Sequence, residues 1–128
     1  MKLLLDTHVW IWQILGEDRL PRKFKDLLSQ KDHEIFFSPI SAWEILILER
    51  KRKLFLGNHP VQLIRDALKN FPMKEAPLNT EVAIVSRELK LPHDDPADRF
   101  LAATALVYDL KILTVDKVLK KARGVPTV

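Results

Sequence analysis

Short apolar runs alternate with amphipathic stretches along the whole chain. Leu3-Leu4-Leu5 is continuous and ends at Asp6-Thr7, which reads as a buried strand feeding a helix start. The pattern continues as a short helix over Val9 to Leu15. Pro21 suits a first helical turn, and Phe24, Leu27 and Leu28 recur after it at helical spacing. Glu34 to Ser38 reads as a second strand, and Ser38-Pro39 opens a helix to about Lys53. A further helix follows Asn58 and ends before Pro72, and Met73 to Leu78 is a third extended segment. Asn79 caps a helix that runs to Leu89, and Pro92 interrupts the pattern. Pro96 opens another helix, from Ala97 to about Leu110. Lys111 to Val115 is a strand, Asp116 caps a final basic helix, and Val125 to Val128 adds a last short strand.

These strands are apolar at successive positions instead of every second one. A strand buried on both faces has that signature, so the pattern predicts an α/β fold with a parallel sheet covered by helices on each side. No repeat, linker or low-complexity segment divides residues 1–128, which are expected to form one domain. Open sheets of this kind bind ligands at the carboxyl ends of their strands. Asp6 and Asp116 fall at two such ends.

Composition narrows the chemistry more than the fold. The chain has 128 residues and no cysteine, which excludes a disulfide framework, a thiolate zinc site and a cysteine nucleophile. Its three glycines, Gly16, Gly57 and Gly124, are too far apart for a phosphate-binding glycine loop. No apolar run is long enough to span a membrane, and the first residues turn acidic too soon for a signal peptide, so a cytoplasmic location is expected.

The acidic residues stand in unusual places. Asp6 and Asp116 could each be a helix N-cap and nothing more. Glu44 sits on or beside an apolar helical face with Ile40, Ser41, Ile47 and Leu48 as neighbours, where a carboxylate needs a partner cation, a metal or an edge position that reaches water. His93 to Asp98 packs Asp94, Asp95 and Asp98 into one helix start. Capping and the helix dipole account for one or two of them. Asp98 points back toward Asp94 and Asp95, and two carboxylates about 4 Å apart repel by roughly 4 kcal/mol at an effective dielectric of 20. Protonation or a cation must offset that. With no cysteine and no paired histidine spacing, the cation should be a hard one, Mg²⁺ or Mn²⁺.

The same residues carry a family resemblance that spans Leu3 to about Ala122. Leu3-Leu4-Leu5-Asp6-Thr7-His8-Val9-Trp10, Ser41-Ala42-Trp43-Glu44-Ile45, Asp95-Pro96-Ala97-Asp98-Arg99-Phe100-Leu101-Ala102-Ala103-Thr104-Ala105 and Leu113-Thr114-Val115-Asp116 follow in order. Together they resemble the four blocks of a PIN-domain ribonuclease, in particular the toxin of a VapBC-type toxin–antitoxin pair. The resemblance implies a PIN-like three-layer α/β/α sandwich around a central parallel sheet of four to five short strands. It implies that Asp6, Glu44, Asp98 and Asp116 are the catalytic, metal-binding carboxylates, with Asp95 as an accessory acid and one or two Mg²⁺ or Mn²⁺ ions as cofactor. Thr7 and Thr114 would set hydroxyls beside the metal or its waters, or serve as caps; Arg99 would contact a phosphate or pair with an acid. The implied activity is endoribonucleolytic hydrolysis that leaves 5′-phosphate and 3′-hydroxyl ends and inhibits translation. The implied partners are an RNA substrate (structured transfer RNA is the family's suggestion), a cognate VapB-type antitoxin and a second copy of the chain in a homodimer.

Charge agrees with an RNA partner. The formal net charge is +4, and with the five candidate acids set aside 12 acids remain against 21 bases, about +9 for the rest of the molecule. Arg50, Lys51, Arg52 and Lys53, and Lys117, Lys120, Lys121 and Arg123, are candidate phosphate contacts, with solvated helix ends as the alternative. Of Trp10, Trp12 and Trp43, at least two are expected in the core and one is free to stack on a base or a partner's side chain. His8, His33, His59 and His93 lack ligand spacing and read as surface or structural residues. Two rival enzymes lack their motifs. A phosphotransferase with a nucleophilic Asp needs a second Asp where His8 stands, and a receiver domain needs its acidic pair after the first strand. The remaining alternative is a non-catalytic RNA- or protein-binding domain with a structural divalent metal.

Overall fold

A computed structural model describes residues 1–128. In chain order the elements are β1 (Lys2–Leu5), α1 (Thr7–Leu15), α2 (Arg22–Ser29), β2 (Glu34–Phe37), α3 (Pro39–Arg50), α4 (Pro60–Asn70), β3 (Lys74–Glu75), α5 (Thr80–Glu88), α6 (Pro96–Tyr108), β4 (Lys111–Leu113) and α7 (Lys117–Lys121). The four strands form one parallel sheet in the order β3-β2-β1-β4. Leu4 pairs with Phe36 on one side and Ile112 on the other, so β1 is a central strand.

The apolar runs do alternate, but between two cores. Leu3, Leu5, Ile35, Phe37 and Leu113 pack with Trp10, Phe24, Ile45 and Ile64 from α1 to α4. Leu4 and Ile112 face the other way, onto Ala97, Leu101, Ala102 and Ala105 of α6 and Leu119 of α7. Both faces of the sheet are therefore dry, and the chain folds as the expected three-layer sandwich.

Element ends differ from the sequence reading where local hydrogen bonding overrides hydrophobic pattern. The third helix stops at Arg50, three residues short of the expected Lys53, because Arg52 takes φ 59 and the Lys53 N–H turns back to the Leu48 carbonyl at 2.9 Å. The sixth ends in the same way at Tyr108, with Asp109 at φ 56 and the Leu110 N–H on the Ala105 carbonyl. Strand β4 ends at Leu113 instead of Val115, because the Asp116 N–H bonds to the Thr114 hydroxyl at 2.9 Å. The extended segment Met73 to Leu78 pairs only at Lys74–Glu75. The expected last strand is a single parallel bridge between Thr127 and Ile112.

The strand order reverses direction at β1. The chain moves from β1 outward through β2 to β3, then returns to place β4 on the other side of β1. The carboxyl ends of β1 and β4 therefore flank the switch point, where such sheets hold their ligands.

Candidate active site

Asp6 leaves β1 with its N–H on the Leu113 carbonyl of β4 at 3.1 Å, and its side chain caps α1. One carboxylate oxygen accepts from the Thr7 N–H at 2.7 Å and the other from the Thr114 hydroxyl at 2.6 Å. Burial raises its pKa above the ordinary aspartate value, with the Thr114 bond pulling the other way. Thr114 also accepts the Asp116 N–H, so one hydroxyl joins the acids of two strand ends. Asp116 caps α7 by accepting from the Val118 N–H at 2.7 Å and the Leu119 N–H at 3.3 Å.

Glu44 comes from α3, half-buried, and burial followed by the carboxylates of Asp95 and Asp6 raises its pKa against the pull of the Thr7 hydroxyl. Thr7 itself donates to the Ser41 hydroxyl at 2.9 Å, one turn before Glu44. Asp95 caps α6, accepting from the Ala97 N–H at 3.0 Å and the Asp98 N–H at 3.4 Å. One turn on, Asp98 is pushed up to about 7, first by burial and then by the charges of Asp95, Asp6, Asp116 and Glu44.

All five acids line one cavity of about 310 Å³, together with His8, Trp12 and Val115. No lysine or arginine lines it. A larger cavity, about 560 Å³, lies at the opposite ends of β2 and β3 among Gln30, His33, Phe71 and Lys74. There Lys74 pairs with Glu34 at 2.9 Å and Lys31 adds a positive charge, so the concentration of unpaired negative charge is at the smaller cavity.

The donor set fits a hard divalent cation: it consists of carboxylates alone, and burial and mutual repulsion hold a proton on Asp98 near neutrality where a cation would offset the charge. Three of its members, Asp6, Asp95 and Asp116, also cap helices, whose positive ends stabilise their carboxylates. In this structure no three of the acids stand arranged to hold an ion together.

A family model described as PIN domain matches residues 3–125. The chain belongs to the PIN-domain family. Solved structures similar to this PIN domain include a chain of VapBC2 from Rickettsia felis bound to a promoter DNA fragment, with TM-score 0.72, 16% identity, and 100% of this chain and 98% of that one covered. A chain of DNA-bound VapBC from Salmonella typhimurium superposes with TM-score 0.70 at 17% identity over 100% and 97%. A chain of a toxin–antitoxin complex from Klebsiella pneumoniae gives TM-score 0.62 at 25% identity over 98% and 95%. A comparison with curated protein sequences finds no match.

The PIN fold brings Asp6, Glu44, Asp95, Asp98 and Asp116 to one cavity, and it sorts the other candidates. Asp94, expected to crowd Asp98, instead turns outward to Arg87 at 3.4 Å and Arg99 at 3.2 Å. Arg99 does not line the cavity. It is buried, and its guanidinium donates to the carbonyls of Ser86 and Leu89 at the end of α5. It ties the loop that carries Asp94 and Asp95 to α5. Arg99→Met strands those two carbonyls and is expected to lower stability by roughly 2–3 kcal/mol, read as a lower urea midpoint; an unchanged midpoint would contradict that role.

Of the basic candidates, none lines the acidic cavity. Lys117, Lys120 and Lys121 are exposed on α7, and Arg52 and Lys53 border a neighbouring hollow. Trp10 is buried in the core beside Phe37, Trp12 is half-buried at the cavity wall, and Trp43 is half exposed. Two histidines, read from the sequence as surface or structural residues, stand close to the acids. His8 follows Asp6-Thr7 on the first turn of α1, and His93 sits 3.4 Å from the Asp98 carboxylate while its Nδ1 accepts the Asp95 N–H at 3.2 Å.

Thr114→Val removes the hydroxyl between Asp6 and Asp116 at almost constant volume. Loss of such a support costs roughly 10–100-fold in metal affinity or activity. A Mn²⁺ titration should show weaker binding with the fold intact; unaltered affinity would mean that the bridge does not orient Asp6.

Proposed function

We propose that this PIN domain is a metal-dependent endoribonuclease and the toxin of a toxin–antitoxin pair that inhibits translation. One observation carries the chemistry: five carboxylates with no balancing cation line the cavity at the sheet's switch point. The toxin role is supported by the likeness to chains from VapBC and toxin–antitoxin complexes. A cognate VapB-type antitoxin, self-association into a homodimer and a cytoplasmic site of action belong to the same reading. No helix is long and apolar enough to cross a membrane.

Asp6, Glu44, Asp98 and Asp116, with Asp95 as accessory, would hold Mg²⁺ or Mn²⁺. When bound, such an ion supplies Lewis acidity, lowering the pKa of water and offsetting charge on the phosphate. The residues do the rest. Thr114 holds Asp6 in one orientation, and the Asp95 cap fixes the first turn of α6, on which Asp98 stands. Asp98, whose pKa is pushed up to about 7, would have to be deprotonated to help hold the ion. The basic residues of the Arg50 to Lys53 turn and of α7 attract the RNA backbone that the acidic cavity alone would repel. Attack of water on phosphorus forms the new P–O bond as the bond to the 3′-oxygen breaks; the attacking water gives up a proton to solvent and the departing 3′-oxygen takes one up. The products carry 5′-phosphate and 3′-hydroxyl ends.

The test is cleavage of total cellular RNA by antitoxin-free protein with Mg²⁺, with Mn²⁺ and with chelator, followed by mapping of fragment ends. Discrete cuts with 5′-phosphates, present only with metal, are expected, and they identify whether transfer RNA is the target. Folded, metal-bound protein that binds RNA without cutting it would instead establish the non-catalytic binding domain.

A further inference from the structure

We propose that the cavity beside the acidic one is a nucleobase subsite, which takes an unpaired base of the RNA strand whose phosphate lies at the carboxylates. The inference rests on the ribonuclease reading and adds how the strand is held. The cavity encloses about 440 Å³ between α1 and the chain that leaves α3. His8 and Trp12 belong to its wall and also to the wall of the acidic cavity, so the two chambers share one aromatic partition. The rings of that pair lie 6.4 Å apart at 54°. Leucine side chains make the floor, and on the outer side stands Phe55, 80% exposed.

An exposed phenylalanine is unremarkable alone. Here it faces the same cavity as Trp12, and cations accompany it. Lys53 lines the cavity, and Arg52 borders the adjoining hollow with Lys53 and Phe55. Arg19 also lines the cavity but is partly neutralised by Glu17 at 3.3 Å. Arg52 and Lys53 form no ion pair. Arg52 holds a left-handed φ of 59, a conformation that favours glycine, and the reversal there turns the following residues back toward α1.

Charge complementarity selects the occupant. The carboxylates repel phosphate, so a strand must be anchored beside them, and Lys53 lines the same cavity as Trp12 and Phe55, with Arg52 at the adjoining hollow. Aromatic faces with cations around them are how proteins hold single strands, and each stacked base contributes about five- to a hundredfold in affinity. Glu49 and Glu17 line these hollows too, but Arg52 and Lys53 pair with neither, so a neutral apolar partner would leave both cations unused.

Binding is measured with the Asp98→Asn protein and a single-stranded RNA of about ten nucleotides, long enough for one such site, that carries one 2-aminopurine. Its fluorescence falls when the base stacks. Cleavage is measured separately with Asp98 intact, so the two readings fail independently. We expect quenching on binding, loss of quenching in Trp12→Leu, and binding weakened by about fivefold or more in Phe55→Ala. Phe55 is so exposed that its removal leaves the fold in place, and a melting curve checks this. A strand of equal length with abasic sugars should bind the parent more weakly and be indifferent to Phe55→Ala. Stacking-dependent binding without cleavage would keep the subsite and sink the nuclease. Equal affinity for normal and abasic strands, or Phe55→Ala binding RNA as well as the parent, overturns the subsite. Phe55→Ala that binds RNA normally but escapes inhibition by the antitoxin would make the cavity a protein-docking surface and also overturn it.

Discussion

In the Asp98→Asn variant, RNA cleavage falls by on the order of a thousandfold, while the metal-free protein at pH 8 melts several degrees above the parent. Both effects come from the same crowding. Asp98 is pushed up to about 7, with burial the first cause and the charges of Asp95, Asp6, Asp116 and Glu44 following. Its folded-state pKa lies above the unfolded value of 3.8, so a proton on Asp98 favours the folded chain. That contribution is fully present below about pH 4 and is lost as pH rises through about 7. Asparagine has no charge to lose, so the variant keeps the stability that the parent gives up. The difference is on the order of a few kcal/mol at pH 8, which is several degrees in Tm for a domain of this size. At pH 4 the two proteins should melt together. Melting curves in chelator at both pH values, beside cleavage rates with metal, make the comparison. A gain that is the same at pH 4 and pH 8, or cleavage at the parent rate, would remove Asp98 from the site.

Metal and protons should compete for the same oxygens. Cleavage is expected to rise with pH to a plateau, because the raised pKa of Asp98 keeps a proton where a ligand is needed. If one proton leaves per ion bound, each tenfold drop in free Mg²⁺ moves the midpoint up by about one pH unit. If Asp6 or Glu44, whose pKa values are also raised, gives up a second proton, the shift is about half as large. Chelator should reduce cleavage to background at every pH. Rates across a grid of pH and Mg²⁺ concentration measure the slope. A midpoint that ignores metal concentration would mean that the titrating group is not a ligand.

Much of this was legible in the chain, for a physical reason. Three of the five acids sit beside a signal that marks where a strand stops or a helix starts: Asp6 after Leu3-Leu4-Leu5, Asp95 before Pro96, Asp116 after Leu113-Thr114-Val115. Caps stand at strand ends, and strand ends make the site. Glu44 was legible because it interrupts an apolar face. The ends of α3 and α6 were not, because the left-handed residues that close them are Arg52 and Asp109, and no glycine marks the stop. Residue spacing alone did not separate Asp94 from Asp95; only the family resemblance singled out Asp95. One peptide unit turns the first toward Arg99 and the second into the cavity, and only the buried carbonyls that anchor Arg99 decide which.

The Thr114 bond to Asp6 spans 108 positions of the chain. Synthesis is vectorial, so Asp6 emerges early and waits while nearly the whole domain is made, at about 5–20 residues per second. Until β4 docks beside β1, Asp6 has no Thr114 to orient it and Asp116 has no place on the rim. A nascent chain therefore carries the acids without the arrangement, and the five-acid cavity is complete only once β4 and the turn after it have been made.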